Sequence, residues 1–402
     1  MWKDIIECAS IVVSVCSAIF FLYKKYKELR KKYFYCGYIH SAEGINKKIA
    51  ALDFMTFEKT DNIDGTWLRD WYLNDMREMR IRDEKGQRRI KIPYKELVNF
   101  IENPDTKITI SEPVITKEFE LIPGLKEATD YIENEVRKKK PGTTNDYHPS
   151  MSSFEPDGKG NYTCTFEKTC YFKQIRTNLS LDRPIYMPDS CETTLRKIGL
   201  KGITKDQRLP SLSKSCLANV VGVSAIWCMG SDGNRQYYLL PRKGSVGVYE
   251  KKLGMPSGDA DCPNHDEFQS DSLVDFLKAE MLREFAEETG IADIGMKQYV
   301  YSHPVDVTKI GLYTKVEIIP LAFMREMLRG GKPQMFFLIR TEEIPYETLH
   351  RCFRLSQGRR EFNSRSFTDA TLSTEVACNY LYAKAYLQQS HRNGGVIDVS
   401  RT

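Results

Sequence analysis

Arg283-Glu284-Phe285-Ala286-Glu287-Glu288-Thr289-Gly290-Ile291 reads as the last turns of a helix that concentrates carboxylates on one side. Ser270, Asp271 and Ser272 supply side chains suited to a helix N-cap, and Gly290 suits a left-handed C-cap. The spacing of Val274, Met281 and Phe285 supplies an apolar stripe between those ends. At about 100° per residue, Glu280, Glu284, Glu287 and Glu288 share the neighbouring face, spaced i, i+4, i+7, i+8. Carboxylates this close repel one another, and a solvated helix usually interleaves lysines at such spacings. No lysine occupies this face, and Arg283 reaches Glu287 from its edge. Two readings fit, an acidic surface or a divalent-cation site. The spacing favours the second, with hard oxygen ligands suited to Mg²⁺ or Mn²⁺.

Working outward, Asn219–Met229 reads as a strongly apolar strand, followed by a turn at 230–234 and β-forming Gln236–Leu240. The basic segment Pro241-Arg242-Lys243 and the turn Leu253-Gly-Met-Pro-Ser-Gly258 come next. Val316–Met324 and Gln334–Thr341 read as strands around Gly330-Gly-Lys-Pro333, and Leu372 to Leu387 reads as a closing helix. Strands on both sides of a central helix predict a mixed α/β domain over residues 161–402, beginning with β-forming Tyr162–Lys173.

Upstream, Met79–Ile81 and Ile90–Ile92 alternate about Asp83–Gln87 as a hairpin. Leu97, Phe100 and Ile101 predict a short helix stopped by Asn103-Pro104. Leu125, Ala128, Ile132 and Val136 predict a longer helix whose basic end, Arg137–Lys140, reads as solvated. Residues 33–140 are thus expected as a separate mixed α/β module. Residues 141–160, rich in Pro, Gly, Ser, Thr and Asn, read as a linker or a long loop.

The length of 402 residues predicts two or three folded units. A hydrophobic fraction of 41% excludes a polytopic membrane protein, and 11% aromatics exclude wholesale disorder. Residues 1–32 hold seven bases against three acids, so +4 of the chain's +5 lies there. The near-neutral remainder excludes general nucleic-acid binding. Ile5–Tyr23 is nineteen residues long with one charge, Glu7, and just spans a hydrocarbon core of about 30 Å. The cluster Lys24, Lys25, Lys27, Arg30, Lys31 and Lys32 follows that run, unlike the leading charge of a signal peptide. The positive-inside rule therefore predicts a single-pass helix in a cell membrane, with the N-terminus outside and the body cytoplasmic. Eleven scattered cysteines without a CxxC pair agree with a reducing compartment and support neither a disulfide framework nor a zinc site. Cys164 and Cys170 read as two buried thiols in preference to a pair bridged across strands.

The run 283–291 resembles the second half of the Nudix box, G-x5-E-x7-R-E-U-x-E-E-x-G-U, where U is a bulky aliphatic. Arg283, Glu284, Glu287, Glu288 and Gly290 match every fixed position, Ile291 matches one U, and Phe285 is an aromatic at the other. The first half departs, with Asp275 for the box Glu and Gln269 for its Gly. Met255-Pro-Ser-Gly258 is similar to the Pro-Gly-Gly-like turn before the box, with Ser257 in place of one Gly. The run Leu217–Val223, then Asp232-Gly233, then Pro241-Arg-Lys, looks like the long-form members that include UDP-glucose pyrophosphatase. The likeness covers roughly residues 161–395.

This resemblance implies an α/β/α sandwich and hydrolysis of a nucleoside diphosphate linked to another group. It implies Glu284, Glu287 and Glu288 as metal ligands, Glu284 or Glu287 as base, and Glu280 as a further ligand. Arg283 is expected to brace the loop through a buried ion pair. Arg242, Lys243, Ser257 and Gly258 are expected at substrate phosphate, the two bases having a solvated strand end as the plainer reading. Glu317, Glu342 and Glu343 are candidates for a later metal ligand, and His265 and His303 read as loop or core histidines. Anchor plus Nudix-like domain also resembles membrane effectors of CBASS-type anti-phage signalling. In that alternative the domain binds a cyclic nucleotide, and the anchored chains assemble as a homo-oligomer that perturbs the bilayer.

Overall fold

In the computed structural model the described residues are 12–29, 39–52, 72–83, 86–139, 141–186, 192–199, 208–231, 234–243, 252–296, 299, 301–360, 362 and 371–392. The predicted span begins at Ile5, and residues 1–11 lie outside the described set. Residues 12–29 form helix α1, on which Val12, Val13, Ile19, Phe20, Phe21 and Leu22 are exposed. Its final turns carry Lys24, Lys25, Lys27 and Glu28. No helix among the described residues is long and apolar enough to cross a membrane.

The chain then runs through β1 (Ile39–Ser41), α2 (Ala42–Ala51), the hairpin β2 (Arg77–Asp83) and β3 (Gly86–Ile92), β4 (Tyr94–Asn99) and β5 (Ile108–Ile110). Next come α3 (Leu125–Lys139), β6 (Tyr147–Pro156), β7 (Tyr162–Cys170), β8 (Gly222–Met229), β9 (Gln236–Tyr238) and β10 (Ser257–Asp259). The acidic helix is α4 (Leu273–Thr289), followed by β11 (Glu317–Glu326), β12 (Lys332–Thr341), α5 (Tyr346–Leu355) and α6 (Thr374–Arg392). The main sheet has the order β1-β9-β8-β12-β11-β4, with β10 also on β8. β8 and β12 run parallel in the register Trp227↔Ile339, and the other pairs are antiparallel.

β8 is buried along its whole length because helices cover both faces of the sheet. Val223, Ala225 and Trp227 point toward Leu277, Met281 and Phe285 of α4. Ile226 and Cys228 point toward Val376, Tyr380 and Leu381 of α6. Trp227 is fully buried, meets Phe285 edge-on at 5.1 Å, and donates from Nε1 to Thr341 at 3.0 Å. Cutting such an aromatic to alanine costs about 3–5 kcal/mol. The fold is therefore a mixed α/β sandwich with the acidic helix on one face.

Three stretches differ from the sequence reading. Leu97 lies in β4, not in a helix, because Tyr94 and Val98 are buried where the strand pairs with β11. The chain turns after it as the Asn99 side chain accepts from the amides of Ile101 and Glu102. Residues 33–140 contribute β1 and β4 to opposite edges of the main sheet. Residues 141–160 contain β6, which pairs with β7, while β7 pairs in parallel with β5. This small sheet shares the α4-side core through Ile108, Met151 and Phe166. Cys164 and Cys170 are free thiols on the same strand.

Candidate functional site

Ser272 caps α4 by accepting from the Asp275 amide at 3.2 Å, and Gly290 ends it at φ 72°. A Cβ at Gly290 would also lie 2.4 Å from the Cys352 carbonyl, so both conformation and space require glycine. These ends set the rotation that buries Leu273, Leu277, Met281 and Phe285 and turns the carboxylates toward β10 and the loop after it.

Arg283 lies at the centre of those carboxylates. It is 2% exposed and reaches Glu280 and Glu284 at 2.9 Å, and Asp261 and Glu287 at 3.1 Å. One guanidinium therefore faces four acids. Burial, together with the charges of Glu287, Asp261 and Glu280, pushes the Glu284 carboxyl up to about 8 despite Arg283. Against burial, the hydrogen bond with His148 and the charge of Arg283 hold the Asp261 carboxyl below the usual range. The contact with Glu287 raises the His303 imidazole, which lies 3.5 Å from Glu287 and 3.4 Å from Asp261.

Glu280 has a different place from its neighbours on the helix. It is fully buried and accepts from the amides of Asp261 and Ser302, each at 3.1 Å, as well as from Arg283. Both oxygens thus fix the two loops that carry Asp261 and His303. Glu288 accepts from the Ser257 amide at 3.1 Å. A Cβ on Gly258 would fall 2.3 Å from the Glu284 carboxyl carbon, so the turn approaches this acid as closely as glycine permits. Arg242 donates to the Ser257 hydroxyl at 3.4 Å, whereas Lys243 donates to the Arg359 carbonyl. The structure therefore brings Glu284, Glu288, Ser257, Gly258 and Arg242 together, and Glu287 joins them through Arg283.

Of the later acids, Glu317 pairs with Arg340 at 3.1 Å, and Glu342 and Glu343 are exposed beyond β12. Asp261 is the additional carboxylate that meets the cluster. Asp261, His148 and His303 were not singled out as site residues from sequence. Each arrives by a loop or a distant strand, and their sole advance signal was the position of His303 after the acidic run.

The donor chemistry suits a hard divalent cation, with three helix carboxylates beside a turn that packs against Glu284 at Gly258 and donates the Ser257 amide to Glu288. Among the described residues, however, no three His, Cys, Asp or Glu side chains form a ready-made metal site. Arg283 draws Glu284 and Glu287 toward itself instead. Comparison with protein families finds no family that matches the chain, and no curated protein matches it.

Proposed function

We propose that the chain is a membrane-anchored hydrolase of the Nudix type, acting on a nucleoside diphosphate linked to another group. The observation that carries this reading is the Ser257-Gly258 turn seated against Glu288 and Glu284 at the end of an acidic helix. Glu284, Glu287 and Glu288 would hold Mg²⁺ or Mn²⁺, while Glu280 and Arg283 brace them. The metal would neutralise phosphate oxygens and acidify the attacking water. Glu284, whose buried carboxyl has a raised proton affinity, or Glu287 would take that water's proton. Arg242, which donates to the Ser257 hydroxyl, would meet phosphate beside the turn, with Gly258 letting that turn lie close against Glu284. Residues 5–23 would hold the body at a cytoplasmic membrane face through the basic flank that follows.

A second reading is favoured by the seat of Arg283, which already neutralises part of the carboxylate charge. Here the domain would bind a cyclic nucleotide without turnover and couple it to assembly of the anchor. The full chain in detergent, with Mg²⁺ and a panel of NDP-sugars, dinucleotides and cyclic dinucleotides, separates the two. Release of a nucleoside monophosphate that is lost in Glu287→Gln supports the hydrolase. Tight cyclic-nucleotide binding with no product, coupled to oligomerisation or vesicle leakage, overturns it.

A further inference from the structure

A cleft of about 480 Å³ opens beside the acidic helix, between the β6–β7 pair and the loop from Asp261 to Asp266. Its inner wall is Asp261, Ser302 and His303, the same residues that Glu280 and Glu287 hold from below. Its outer wall is Tyr147 and Lys168, from the stretch upstream of the main sheet's central strands. The volume falls in the range of about 300–1,000 Å³ typical of small-molecule sites. His265 and Asp266 adopt φ 59° and 57° in succession, left-handed conformations that non-glycine residues hold only under constraint.

The charge of the lining decides which part of a nucleotide belongs there. Asp146, Asp261 and Asp266 contribute carboxylates, and Lys168 is committed to Asp266 at 2.7 Å. Lys168 and His303 are both held by carboxylates, so the lining does not offer either of them freely to phosphate. Hydroxyl and amino groups are attracted, because ionised carboxylates accept hydrogen bonds and can bind ribose hydroxyls. Tyr147 is 55% exposed and offers an aromatic surface, with the Lys168 ammonium 4.5 Å from its ring centroid.

We infer that this cleft seats the base and ribose of the nucleotide whose phosphates face the α4 carboxylates. The inference rests on the nucleotide reading above and deepens it. Selection of the nucleoside then falls to residues around Tyr147, outside the segment that resembles the box.

The test uses the full chain in detergent carrying Glu287→Gln, so that binding is measured without turnover. ADP, GDP, CDP and UDP are titrated calorimetrically with Mg²⁺, beside inorganic pyrophosphate. Tyr147→Ala is expected to weaken the preferred diphosphate at least tenfold, and Tyr147→Phe to stay within twofold. Pyrophosphate affinity is expected to change less than twofold in both. Equal weakening of pyrophosphate, unchanged diphosphate affinity in Tyr147→Ala, or no binding of any of the four overturns the inference. Turnover by the parent chain with affinity indifferent to Tyr147 overturns the cleft and leaves the hydrolase standing. Affinity that needs Tyr147 in a chain without turnover does the reverse.

Discussion

Asp259 and Asp261 are two residues apart and both carboxyls are held below the usual range, yet they share their cations differently. Asp259 meets the fully buried Lys332 at 2.8 Å and accepts from Gln174 at 2.9 Å. Against burial, the Lys332 charge holds its carboxyl down to about 2. Lys332, His148 and Arg329 all lower that carboxyl, so cations around Asp259 are not outnumbered. Asp261 instead shares Arg283 with Glu280, Glu284 and Glu287. Burial, with the excess of acid there, raises the Glu284 carboxyl and leaves room for a further cation. Charge balance separates a structural ion pair from a site more clearly than acidity does.

The largest expected effect tests the pair of Asp259 and Lys332. Lys332→Met should cost about 3 kcal/mol in urea unfolding, since it strips the fully buried cation from the half-buried Asp259 carboxylate. Mg²⁺ should not restore the loss. Arg283→Met should destabilise the metal-free chain similarly, but Mg²⁺ should recover a measurable part of the melting temperature. Equal indifference of both variants to Mg²⁺ would remove the contrast.

Next in size is activity. Glu287→Gln should lower kcat for the best nucleoside diphosphate substrate at least a hundredfold, ~2.7 kcal/mol of barrier, with an unchanged far-UV spectrum. Retained turnover would place the chemistry elsewhere. Gly258→Ala should follow at about tenfold, ~1.4 kcal/mol, because its methyl group would collide with the Glu284 carboxyl. A steady-state rate equal to the parent's would show that the turn does not need this close approach.

A last test is one of pH. The native Glu284 carboxyl titrates at about 8 against an ordinary 4.5, so the folded chain holds more protons between those values. Its contribution favours folding below about 4.5 and is lost as pH rises toward 8. Glu284→Gln should therefore raise metal-free stability more at pH 8 than at pH 5, measured by urea unfolding. The opposite sign would mean that Arg283 dominates its environment.

Much of the central fold was legible because its signals are local. Ser272 and Gly290 mark the ends of α4, and the strands on either side of Gly330–Pro333 are near-continuous apolar runs, buried on both faces. Leu97 misled because its apolar neighbours fit a helix turn, and only pairing with β11 makes them an edge strand. The four glutamates of the helix were visible from their spacing, but their different roles were not. Glu280 is spent on the amides of Asp261 and Ser302, which lie 19 and 22 residues away.

Local sequence is enough for the acidic helix, its caps, its apolar stripe and the concentration of basic charge near the N-terminus. Those properties depend on residues a few positions apart, where helix geometry alone sets which side chains are neighbours. Tertiary packing is what makes four acids share Arg283, brings Asp261 and His303 into that group, and has β1 and β4 complete the sheet. These are contacts between distant segments, and their partners are selected by packing and burial, which no local spacing encodes.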